Sequence, residues 1–135
     1  MQTLDIINDA KKLNVEEANL SGSTIRMACL NNLMMEDVSA TGVKITNANL
    51  SDLEIEGAQL GGAFIHNIGM PPKDHPYYDP TAKQRPLRFE DSDLNGSTIS
   101  NCDLSNVAIS DCETRGMTIN GILVNDLLAA YRGGK

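Results

Sequence analysis

An apolar residue recurs at every fifth position over most of this chain. From Val15 the row runs Leu20, Ile25, Leu30, Met35, Ala40, Ile45, Leu50, Ile55, Leu60, Ile65 and Met70. A second row, small or apolar, lies two residues earlier: Leu13, Ala18, Ser23, Ala28, Leu33, Val38, Val43, Ala48, Leu53, Ala58, Ala63 and Ile68. The pattern resumes from residue 87 in shifted phase, with centres Phe89, Leu94, Ile99, Leu104, Ile109, Thr114 and Ile119. A helix needs apolar spacing near 3.6 and an ordinary strand needs 2, so a period of five fits neither. The ends of the fives show what it does fit. Sixteen of 19 close on Gly, Asn or Asp, residues that tolerate tight turns and positive φ. Each five therefore reads as a short extended piece followed by a corner, with both apolar rows pointing inward.

The fives Ala18-Asn19-Leu20-Ser21-Gly22, Ala48-Asn49-Leu50-Ser51-Asp52, Ser92-Asp93-Leu94-Asn95-Gly96 and Cys102-Asp103-Leu104-Ser105-Asn106 resemble the pentapeptide repeat family. That motif is roughly Ala, Asp or Asn, Leu, then two variable polar residues. The resemblance covers residues 13 to 72 and 87 to about 124. It implies an all-β fold, a right-handed quadrilateral β-helix with four fives per turn. The long centres Met34-Met35, the small Ala40 and the polar Thr114 depart from the motif. With twenty residues per coil, Ile25, Ile45, Ile65, Ile99 and Ile119 fall in one column across the interruption, and Leu30, Leu50, Met70, Leu104 and Val124 in a neighbouring one. Five coils about 4.8 Å apart would form a rod of roughly 24 Å, its ends in need of covers.

The expected organisation is an N-terminal cap over 1–12, coils one to three over 13–72, an external loop over 73–86, coils four and five over 87–124, and a capping helix and tail over 125–135. All five prolines lie in or beside the loop, at Pro71, Pro72, Pro76, Pro80 and Pro86, and proline cannot donate to a ladder. Two of the three tyrosines and one of the two histidines also fall there. His75, Tyr77, Tyr78 and Asp79 are thus the first candidate binding residues. In VNDLLAAYR, residues 124–132, Asn125 can cap a short helix, Leu127 and Tyr131 share a face, and Gly133 can stop it. The resemblance implies that such a helix can also join two subunits as a homodimer.

A second candidate surface is acidic. In the stacked register the fourth residues of one face are Glu16, Glu36, Glu56 and Glu90, with Glu17, Asp37, Asp91 and Asp111 adjoining. The net charge is −7 and the pI about 4.6, which argues against direct binding to nucleic acid or to an anionic membrane.

Chemistry is harder to find. The register sets no Ser or Cys nucleophile beside His66. Asp91 to Gly96 imitates the opening of a calcium loop, but the twelfth position is Cys102 where a bidentate Glu is needed. No CxxC or His pair suggests zinc, and no cofactor or metal is expected. The three cysteines are too few for a disulfide scaffold. MQTLDIINDAKK carries acids and no signal-like apolar stretch, and the location expected is cytoplasmic.

Two functions fit these features. One is a non-enzymatic scaffold that binds a protein partner through the loop and faces. The other comes from the resemblance: some pentapeptide repeat proteins imitate DNA and bind gyrase or a related type II topoisomerase.

Overall fold

The computed structural model of the chain describes residues 2–134, so residues 1 and 135, the outer ends of the expected cap and tail, lie outside it. The corner of each five is plain in the backbone. Positive φ recurs at Glu17, Gly22, Met27, Asn32, Asp37, Gly42, Asn47, Asp52, Gly57, Gly62 and Asn67, and again from Asp91 through Gly121 at every fifth residue. Glu17 and Met27 adopt it with side chains that disfavour it, so the register imposes the corner even where the residue type does not.

Corners come in two kinds. After Leu20, Leu30, Ala40, Leu50, Leu94, Leu104 and Thr114 the centre's carbonyl accepts the N–H three residues on, at 3.0 to 3.4 Å. These are β-turns whose third residue carries the positive φ of a type II turn. In five of the seven, the residue before the centre also accepts the N–H two residues ahead: Asn19, Asn49, Asp93, Asp103 and Glu113. The fives centred on Ile25, Ile45, Ile55, Ile65, Ile99 and Ile109 have Thr, Lys, Glu, Phe or Ala at that place. They bend through positive φ without the closing bond. The side-chain acceptor therefore accompanies most closed corners.

The expected five-coil, right-handed quadrilateral β-helix is not formed, and the all-β reading is corrected with it. Regular structure among the described residues amounts to two short strands and one helix: β1, Thr118–Ile119; β2, Ile122–Leu123; and α1, Val124–Gly133. A ladder between coils needs backbone groups at strand spacing of about 4.8 Å. Among the described residues, backbone hydrogen bonds outside these elements close within four residues, except that from Val124 N–H to the Met117 carbonyl, 3.0 Å. Residues 23–26, 41–44 and 46 do line one open cavity of about 530 Å³. Among the described residues, no backbone hydrogen bond joins these two segments.

The apolar rows stay uncovered as a result. No described residue is buried, and Pro71, Tyr78, Thr114, Met117 and Val124 are half-buried. The isoleucine column from Ile25 to Ile119 is 51% to 70% exposed. The accessible surface is 14748 Å², against about 6,900 Å² for a folded monomer of this mass and about 21,000 Å² for the extended chain. The chain divides into two units, Met1–Gly61 and Gly62–Lys135. In the first, residues 2–12 carry no regular element, and Lys11 pairs with Asp9 at 2.9 Å.

The second unit holds the strands and helix. β1 and β2 pair antiparallel, Thr118 opposite Leu123 and Ile119 opposite Ile122. Asn120 and Gly121 form the connection with φ of 49° and 81°. Two successive positive φ values are the demand of a type I′ hairpin turn, which Asn-Gly meets at least cost. α1 continues directly from β2 with no side-chain cap at Leu123, so Asn125 is not the cap expected of it. Asp126 in the first turn and Arg132 in the last complement the helix dipole. The helix ends where the Gly134 N–H reaches the Ala130 carbonyl, 3.1 Å.

Candidate functional site

The 73–86 loop is the most internally bonded irregular segment of the second unit, and its prolines explain why. Three turns follow one another. The His75 N–H donates to the Pro72 carbonyl at 2.9 Å, Tyr78 to His75 at 2.9 Å, and Ala82 to Asp79 at 3.3 Å. In the second and third, Pro76 and Pro80 stand just after the first residue, where a ring that fixes φ near −65° sets the turn in advance. The first residue of each then closes the turn with its side chain. His75 Nδ1 accepts the Tyr77 N–H at 3.2 Å. Asp79 Oδ1 accepts both the N–H and the hydroxyl of Thr81, at 2.8 and 2.7 Å.

These bonds place the loop's candidate residues as follows. The His75 and Tyr77 rings lie 5.7 Å apart, tilted by 45°. Tyr77 is 85% exposed, while Tyr78 is half-buried. Asp79 serves the backbone of its own turn, so the loop unites His75 and Tyr77 at its surface and uses Asp79 as a brace.

Hydrogen bonds from the Thr81 hydroxyl, then from its backbone, hold the Asp79 carboxyl below its ordinary range against a small opposing desolvation. Asp103 is lowered in the same way by the Ser105 hydroxyl and backbone. A depressed folded value stabilises the turn fully above the ordinary carboxylate value, and that stabilisation is lost as pH falls through the depressed one. The Thr81 amide resonance should therefore hold steady from pH 8 to 5 and move only below about pH 4. Movement near neutrality would contradict the Asp79 bond.

A second aromatic pair lies outside the expected site. Phe64 and His66 stack with centroids 4.1 Å apart and planes at 17°. The sequence carried the signal, since residues two apart on an extended piece share a face, and these are the second and fourth of one five.

No family model, curated protein or solved structure matches the chain.

The acidic candidates are exposed. Glu16, Glu36 and Glu56 belong to the first unit and Glu90 to the second. Glu16 accepts a bond from the Asn14 side chain at 3.1 Å, and Glu90 lies 3.7 Å from Arg88. Asp91 to Gly96 form ordinary repeat corners, with positive φ at Asp91 and Gly96. Among the described residues, no group of three or more His, Cys, Asp and Glu could hold a metal ion. Nor is any described helix long and apolar enough to cross a membrane.

Proposed function

We propose that this chain is a non-enzymatic protein that recognises another protein through the 73–86 loop, with His75 and Tyr77 as the contact pair. The observation that supports this most is the exposed Tyr77 ring held on a backbone fixed by consecutive turns. An aromatic ring already in place gives large contact area without the entropy of ordering a loop on binding. The net charge of −7 favours a partner with a basic surface. The non-enzymatic reading draws on both histidines, since His66 stacks on Phe64 and His75 accepts from backbone, and neither has a nucleophile bonded to it. Cys29, Cys102 and Cys112 are free, exposed thiols, which suits a reducing cytoplasm.

The alternative, an acidic imitation of DNA aimed at a topoisomerase, took its charge density from coils stacked at ladder spacing. No backbone bond joins those coils among the described residues, so no observation favours it.

Tyr77→Ala tests the reading. Truncating a central aromatic anchor costs roughly 2 kcal/mol or more, so capture of the partner from a cell extract should fall about thirtyfold, and Tyr77→Phe should retain it. Equal capture of the same partner by Tyr77→Ala and the parent would overturn the role of the loop.

A further inference from the structure

The cavity of about 530 Å³ in the first unit is lined by two cations, Arg26 and Lys44, together with the hydroxyls of Ser23, Thr24, Thr41 and Thr46. We propose that this cleft binds a small phosphate-class oxyanion.

Each wall supplies one cation and two hydroxyl side chains: Ser23, Thr24 and Arg26 from one segment, Thr41, Lys44 and Thr46 from the other. The register makes this complementary. Thr24 and Lys44 are twenty residues apart in the same slot of their fives, and so are Arg26 and Thr46. Every cation thus has a hydroxyl as its counterpart on the other wall, and the two cations are offset from each other.

No carboxylate lines the cleft, although the chain carries 18 acidic residues. The stretches 18–35 and 38–51 contain no Asp or Glu at all. Elsewhere Lys11, Arg88 and Arg115 sit against Asp9, Glu90 and Glu113. Arg26 and Lys44 have no hydrogen-bond or ion-pair partner among the described residues. Two like charges on one cleft repel, and an anion between them reverses the sign of that interaction.

The chemistry of the donors selects the ligand. A guanidinium offers a planar fork matched to two phosphate oxygens, an ammonium offers a point charge, and hydroxyls donate to what remains. A phosphate monoester carries close to two negative charges at neutral pH, equal and opposite to the pair of cations. The lining residues are all exposed, so a substituent on the phosphate would extend into solvent. A long polyanion is disfavoured, because the remaining surface of a chain with net charge −7 would repel it.

The test is a titration of the full chain with inorganic phosphate at constant ionic strength, followed by the amide resonances of residues 23–26 and 41–46. The expected result is saturable movement of the Thr24, Arg26, Lys44 and Thr46 amides. The double variant R26Q/K44Q should bind at least about tenfold more weakly, since hydrogen bonds to charged groups are the strong ones. R26K/K44R, which keeps both charges, should bind, and K12Q/R88Q, with the same change in net charge elsewhere, should bind like the parent. Helical circular dichroism checks that α1 is intact in each variant. Absence of saturable movement in the parent would overturn the proposal, as would undiminished binding by R26Q/K44Q or an equal loss in K12Q/R88Q.

Discussion

Gly121→Val should melt the β1–β2 hairpin and remove roughly half or more of the helical circular dichroism of the chain, because a ten-residue helix is marginal without tertiary support. Gly121 has φ of 81°, and a Cβ built there meets nothing within 4 Å, so the expected damage is conformational and not a matter of crowding. Left-handed backbone costs an L residue about 1 to 2 kcal/mol, most for a β-branched one. The hairpin has two residues per strand and little stability to lose. Its failure would release the Val124 N–H from Met117 and detach the first turn of α1. Gly121→Asn is the control, since Asn tolerates this conformation and should keep most of the helix. An unchanged spectrum for Gly121→Val would show that α1 stands without the turn.

That hairpin was legible and was masked by the repeat. Asn120-Gly121 is a strong local signal for a two-residue hairpin, but Gly121 also serves as the closing residue of the last five, and the periodic reading absorbed it. The prolines of 73–86 were masked similarly. Read as residues that cannot join a ladder, they marked a loop, but Pro76 and Pro80 following His75 and Asp79 also specify two turns. Local chemistry of this kind is carried by neighbouring residues, which is why the corners at Gly22, Asn32 or Asp37 could be placed from sequence. Pairing between coils is different. A column such as Ile25, Ile45, Ile65 and Ile99 states which residues are alike, and nothing within any five states whether backbones twenty residues apart come within hydrogen-bonding reach. The acidic row of Glu16, Glu36, Glu56 and Glu90 inherited that gap, because its meaning depended on the same stacking. The Arg26 and Lys44 cleft was hidden for the opposite reason, since residues in the second slot of one five and the fourth of another share no sequence motif.

The uncovered apolar rows carry the largest consequence, and amide hydrogen exchange on the isolated chain reads it residue by residue. With no backbone partner among the described residues and side chains more than half exposed, the amides of Ile25, Ile45, Ile65 and Ile99 should exchange within about tenfold of an unstructured chain. The amides inside α1 should be slower. Protection of those four isoleucines by more than about a hundredfold, equivalent to roughly 2.8 kcal/mol of opening free energy, would contradict the open arrangement and show that their coils are hydrogen-bonded to one another.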